Sequence, residues 1–115
     1  MAQTVTLSSD RTGADTQVLT LDGRCDASTA AEVERRILAT LDAGRTEIIF
    51  DLRGVISLAP SMLQALSRGS IEAKARNGHL RLVRPNAHVW ALFEQRGLGR
   101  VFPAFSELRE ARQSR

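Results

Sequence analysis

Hydrophobic and polar residues alternate with a period of two in several short segments, the pattern that β-strands require. Residues 4–8 and 17–21 show it, separated by a polar connection that contains Gly13. Residues 47–52 form a nearly continuous apolar run, which is typical of a strand buried on both faces of a sheet. Further short extended segments are expected at 79–83 and at Val101-Phe102. The pattern predicts four to five strands.

Between these strands, apolar residues recur every three or four positions, which is the period of an amphipathic helix. A first helix is expected over 29–42, a second over 60–76, a third after Asn86 and a short fourth from about Ser106. Helix-ending signals stand at Gly44, Asn77-Gly78 and Gly97. The side chains predicted to point inward are Ala30, Val33, Ile37, Leu38 and Leu41 in the first helix, Leu63, Leu66, Gly69 or Ser70 and Ala73 in the second, and Val89, Leu92 and Phe93 in the third.

The order of these elements, β-β-α-β-α-β-α-β-α, predicts the fold class. Alternation of strands and helices is typical of an α/β fold with right-handed crossovers. We therefore expect a mixed, mostly parallel sheet of four to five strands with about four helices and one antiparallel edge strand at the start. The length of 115 residues suits a single domain over 1–115, with a loose C-terminal tail over 109–115.

The charge of the chain is positive but dispersed. The formal charge is +3, and 16 basic residues, all but Lys74 arginines, are scattered among 13 carboxylates. A protein that binds nucleic acid more often carries a basic stripe with stacking aromatic residues, whereas this chain has one Trp, four Phe and no Tyr. The composition therefore argues against direct nucleic-acid binding. Trp90 is either an exposed contact residue or part of the core, and we expect it to fill the core.

Side chains that could carry chemistry are few. Cys25 is the single cysteine, so the chain has no internal disulfide and no multi-cysteine metal site. His79 and His88 lack ligands at metal-binding spacing, and no nucleophile motif or phosphate loop is present. No signal peptide or membrane-spanning run is visible, so we expect a cytoplasmic protein without membrane insertion. The sequence predicts a non-enzymatic protein without metal or cofactor.

Four strings, taken together in their order and spacing, carry a resemblance to a known family. Residues 21–30 (LDGRCDASTA) resemble the strand-to-helix turn LxGxLDxxTA, with Asp26 at its acidic position. Residues 51–55 (DLRGV) resemble DLSGV, residues 84–98 resemble NPSPxVxxxLxxxGL, and residues 101–103 (VFP) resemble a closing strand. The chain thus resembles the STAS domain family over nearly its whole length, in particular the bacterial anti-sigma factor antagonists.

The resemblance fails at one informative place. In the family, an Asp-Ser-Ser-Gly string opens the second helix, and its first serine is phosphorylated by an anti-sigma kinase. This chain has Ala59, Pro60, Ser61 and Met62 there, so the usual phosphoacceptor hydroxyl is absent at Pro60. Alanine in place of a capping aspartate costs about 1 kcal/mol, which proline at the first helical position partly offsets. Ser61 is a weak alternative phosphorylation candidate.

The resemblance also implies a function and a site. It implies a protein-binding module that regulates transcription by binding an anti-sigma factor or serine-kinase-type regulator, locked in the binding-competent state. Asp26 is expected either to cap the first helix or to contact the partner. The alternative is an accessory STAS subunit of a signalling scaffold or of an ABC-type lipid transporter, and a homodimer is left open. The partner is expected to dock on a loop over 58–63, on the first turn of the second helix and on the nearby turn at Asp26. The expected partner-binding residues are Asp26, Ser57, Leu58, Ala59, Pro60, Ser61, Met62 and Leu63.

Overall fold

The structure is a computed structural model that describes residues 8–11, 16–83, 85–100, 102 and 104–105. These residues form five strands and three helices in the alternating order that the sequence predicts. The elements are β1 (Ser8–Arg11), β2 (Thr16–Cys25), α1 (Ala27–Asp42), β3 (Glu47–Leu58), α2 (Pro60–Ala75), β4 (His79–Val83), α3 (Ala87–Gln95) and β5 (Ala104–Phe105).

The strands form one sheet in the order β1-β2-β3-β4-β5. β1 pairs antiparallel with β2, and the other three pairings are parallel. This is the mostly parallel sheet with an antiparallel edge strand that the sequence predicts. Because β2, β3 and β4 run in the same direction, their carboxyl ends lie at one edge, where α1, α2 and α3 begin.

The main hydrophobic core lies between the sheet and the helices. Phe50 and Leu52 of β3 pack there with Ile37 of α1 and Leu66 of α2. Alternate residues of the same strands point to the opposite face, where Val18, Ile49 and Val83 form a second, smaller cluster. Fully burying such side chains contributes about 1.5–3 kcal/mol each, so the helices are held mainly by their apolar faces.

Most inward-facing predictions for the helices are confirmed. The predicted core residues of α2 are all buried, and so are those of α1 except Leu38, which is 37% exposed. In α3, Val89 and Phe93 are buried, whereas Leu92 is only partly buried. Trp90 is half-buried and stacks on Phe93 with ring centroids 5.8 Å apart, so it packs on the edge of the core.

The helix ends follow the predicted local signals. Gly44 and Gly97 have φ values of +90° and +72°, and Asn77 has a φ of +62°. These left-handed residues end the helices, and Gly78 N–H donates to Ala73 O at 2.7 Å to satisfy a terminal carbonyl of α2.

Several strand boundaries differ from the prediction. β1 and β2 continue to Arg11 and Cys25, beyond the expected ends at residues 8 and 21. β3 continues to Leu58, beyond the expected end at Leu52, because Gly54, Val55, Ser57 and Leu58 still pair with the end of β2. The extended segment predicted at Val101-Phe102 is also wrong at Phe102, because this residue lies in a bend with its side chain buried. The observed strand is Ala104–Phe105. The expected fourth helix, the tail over 109–115 and residues 4–7 of the first predicted strand lie outside the described residues.

Within the described ranges, no helix has both the length and the apolar character needed to cross a membrane.

Candidate functional site

The carboxyl ends of β2 and β3 are held side by side. Arg24 is paired with Ser57 and Cys25 with Leu58 in the parallel register. One residue further on, the N–H of Ala59 donates to Cys25 O at 2.8 Å. The β2–α1 and β3–α2 junctions therefore lie next to each other, which brings Asp26 and the first turn of α2 to the same end of the molecule.

Asp26 is the N-cap of α1. Its backbone is extended, and its Oδ1 atom accepts hydrogen bonds from the N–H groups of Ser28 and Thr29 at 3.1 and 3.2 Å. The Ser28 and Thr29 hydroxyls donate to the same oxygen at 2.7 and 3.2 Å. These bonds, that of the Ser28 hydroxyl first, hold the pKa of Asp26 below its usual value. The capping role expected of Asp26 is confirmed, and its side chain is exposed.

The start of α2 lacks a side-chain cap. Ala59 is the N-cap residue, with an extended backbone and no side-chain hydrogen bond to the helix. Pro60 occupies the first helical position and is exposed. Proline suits this position because its missing N–H would have no intrahelical partner there, and its fixed φ is already helical. Ser61 follows in the same turn and is half-buried.

Three of the expected contact residues do not have side chains on the surface. Leu58 is 6% exposed, Met62 is 0% exposed and Leu63 is 3% exposed, and all three belong to the main core. The contact loop predicted over 58–63 is also wrong, because a single residue, Ala59, separates β3 from α2. The exposed or half-buried residues form what we call the strand-end surface: Asp26, Ser57, Ala59, Pro60 and Ser61.

Sequence reasoning missed an exposed apolar residue beside this surface. Ile56 precedes Ser57 in β3, and 54% of it is exposed to solvent. Isolated surface isoleucines are common, but large apolar side chains that adjoin polar ones are typical contact residues. Val55 and Ile56 are adjacent apolar residues, of which Val55 is buried and Ile56 is exposed. The exposure of Ile56 can be predicted only once β3 is known to extend this far.

Two polar contacts rigidify the same end of the sheet. The buried Asp51 carboxylate accepts two hydrogen bonds from Arg53 Nε, at 2.9 and 3.1 Å, and one from Nη2 at 2.5 Å. Asp51 thereby raises the pKa of the Arg53 guanidinium. Asn86 caps α3 by accepting from Val89 N–H at 2.8 Å, and its Nδ2 donates to Val55 O at 3.1 Å. The Asn86 bond therefore ties the start of α3 to the last part of β3, whereas the Asp51–Arg53 contact lies within β3.

The reactive groups do not assemble into a catalytic arrangement at this surface. The Cys25 thiol is buried, and burial, followed by the charges of Asp26 and Asp22, raises its pKa to about 11. His79 Nδ1 lies 3.1 Å from Glu47, at the opposite end of β3. Among the described residues, no group of three or more His, Cys, Asp or Glu side chains is placed to hold a metal ion.

Comparisons with known structures agree with this architecture. A putative anti-sigma factor antagonist from Thermotoga maritima superposes with a TM-score of 0.85 at 18% identity, covering 93% of this chain and 92% of the other. The Bacillus antagonist SpoIIAA in its unphosphorylated form gives a TM-score of 0.83 at 21% identity, covering 92% of each chain. These likenesses establish the fold.

The same fold also occurs as a part of a larger protein. The murine anion transporter Slc26a9 matches 88% of this chain with a TM-score of 0.73 at 16% identity, but the match spans only 18% of the transporter. No curated protein sequence matches the chain. The family model described as "Mlab, STAS domain" matches residues 8–110. The chain therefore belongs to the STAS domain family.

Proposed function

We propose that the chain is a non-enzymatic binding module that acts as an anti-sigma factor antagonist in the bacterial cytoplasm. It docks through the strand-end surface onto an anti-sigma factor or a serine-kinase-type regulator, and it thereby controls transcription. The observation that carries the proposal is the Ala59 N–H to Cys25 O bond, which joins the two junctions into one surface with Pro60 exposed on it.

Pro60 sets the mode of regulation. A serine-type kinase transfers its phosphoryl group to a side-chain hydroxyl, which proline does not have. The hydroxyl in the first turn of α2 belongs to Ser61, which is half-buried. The binding state is therefore independent of phosphorylation at position 60, and the abundance of the two partners controls the amount of complex.

A binding experiment with matched variants tests the docking surface. Pro60→Arg places a long charged side chain on the strand-end surface, and Ala75→Arg places the same side chain at the exposed other end of α2. With the anti-sigma factor encoded nearest to this protein's gene, calorimetry should show a loss of affinity of at least about ten-fold, or 1.4 kcal/mol, for Pro60→Arg alone. Equal binding by both variants would exclude this surface.

A phosphorylation experiment tests the mode of regulation. Incubating the protein with the kinase-type partner and ATP should leave its intact mass unchanged, whereas the Pro60→Ser variant should gain one phosphate. A stoichiometric phosphate on Ser61 of the unaltered protein would contradict constitutive binding.

An accessory subunit of a larger assembly is the second candidate. The observation in its favour is the Slc26a9 match, in which this fold is a small part of a transporter chain. Affinity purification of the tagged protein from its own cells separates the two functions. An anti-sigma kinase as the stoichiometric partner supports the antagonist, and an ABC-type ATPase supports the accessory subunit of a lipid transporter.

A further inference from the structure

A groove runs between α2 and the segment that follows α3. It has a volume of about 330 Å³ and is open to solvent along its length. One wall comes from α2 and the other from the turn after α3. The six lining residues are Leu63, Gln64, Ser67, Arg68, Arg96 and Leu98.

The second wall is a rigid turn. Gly97 has a φ of +72°, and its N–H donates to Glu94 O at 3.0 Å while the N–H of Leu98 donates to Phe93 O at 2.8 Å. This pair of bonds is the Schellman arrangement, which folds the chain back over the helix that it ends. It packs Leu98 against the core while Arg96 stays exposed at the rim.

The groove is apolar at its base and positive at its rim. Leu98 is partly buried and presents apolar surface, and the nearly enclosed Leu63 contributes to the floor of the groove. Both charged lining residues, Arg68 and Arg96, are cations. The Arg68 side chain is 64% exposed, and its Nη1 atom lies 3.3 and 3.4 Å from the two carboxylate oxygens of Glu34. Arg96 enters none of the ion pairs found among the described residues.

The groove continues the strand-end surface along α2. Gln64 lies one helical turn after Pro60, and both residues are exposed. A partner docked on Pro60 can therefore extend a segment into the groove without crossing the body of the domain.

We propose that this groove binds an acidic segment of a partner protein, with an apolar side chain of that segment seated against Leu98 above the floor to which Leu63 contributes. Charge complementarity selects the occupant, because carboxylates pair with Arg68 and Arg96 and the chain as a whole carries a net charge of +3. Nucleic acid fits less well, since none of the described residues that line the groove is an aromatic one on which a base could stack. The inference rests on the proposed function in that the segment belongs to the same partner.

A model peptide tests the groove separately from the strand-end surface. A fluorescein-labelled peptide of glutamate pairs separated by leucines is titrated against the full chain, with its lysine counterpart as the control peptide. Fluorescence anisotropy should show binding of the acidic peptide alone, weakening as salt is raised because the contacting charges are exposed. Backbone amide shifts in a ¹⁵N-labelled sample should change around Gln64, Ser67 and Arg96.

Charge-reversal variants complete the test. Arg96→Glu should weaken binding of the acidic peptide about ten-fold. Arg35→Glu reverses an exposed arginine on α1 and should leave binding unchanged. Equal loss in Arg96→Glu and Arg35→Glu, equal binding of the lysine peptide, or shifts confined to other residues would each overturn the proposal. Retained partner binding with no peptide binding would refute the groove while leaving the proposed function intact.

Discussion

Truncation of Met62 separates a core role for this residue from a contact role. Met62 lies in the first turn of α2, is 0% exposed and is a member of the main core. Met62→Ala removes three heavy atoms of a fully buried side chain and leaves a cavity between α2 and the sheet. Such truncations cost 2–5 kcal/mol, and we expect about 3 kcal/mol here because the site is completely enclosed.

Urea unfolding measures this cost directly. Trp90 is the single tryptophan, and its stacking on Phe93 makes its fluorescence a reporter of core packing. In a thermal melt of a domain of this size, the same loss of about 3 kcal/mol lowers the melting temperature by roughly 10–15 °C. Met62→Leu, which nearly conserves volume, should cost less than about 1.5 kcal/mol.

The control is Gln64→Ala, two residues further along and exposed, which should change the free energy of unfolding by less than about 0.5 kcal/mol. If Met62→Ala unfolds at the same urea concentration as the parent but loses partner affinity, Met62 is a surface contact and its placement in the core is wrong.

Three further predictions concern the same end of the sheet. Because burial raises the pKa of Cys25 from 9.0 to about 11, its thiolate fraction at pH 8 should be roughly 100-fold lower than in urea-unfolded protein; equal rates of disulfide-exchange labelling in both states would contradict this. The pKa of Asp26 is lowered from 3.8, so its stabilising effect is complete above that value and lost as the pH falls through the lowered pKa. Asp26→Ala should therefore melt below the parent protein at neutral pH, and thermal scans should show the difference closing as the pH is lowered below 3.8. A methyl group at Gly54 would lie 1.8 Å from Asp22 Oδ1, so Gly54→Ala should cost about 1–3 kcal/mol by urea unfolding, and most of that should return in the Gly54→Ala, Asp22→Ala double variant.

The elements that the sequence predicts well are those whose signals are local. The α1 face repeats every three or four residues, Asp26 stands where a cap is needed, and Gly44 supplies the left-handed end, so this helix is readable without knowledge of its neighbours. The position of Pro60 at the start of α2 can be predicted in the same way, because proline is tolerated at the first helical position and not in the helix interior.

The features that were missed depend on distant parts of the chain. β3 continues past Arg53 and Gly54 because the end of β2 pairs with it, although these two residues break the apolar pattern. Met62 follows a proline at a helix start and resembles a surface residue until α2 is placed against the sheet. The bond from Asn86 to Val55 joins residues 31 positions apart, and nothing near Asn86 indicates its partner.

The first turn of α2 is shared between the interior and the exterior of the domain. Met62 and Leu63 are enclosed, whereas Pro60 and Gln64 are exposed on the same helix. Substitutions at Pro60 and Gln64 should therefore have little effect on folding, while the two enclosed positions restrict any library to apolar side chains of similar size. A selection for new partners that randomises only the exposed pair would keep nearly every variant folded.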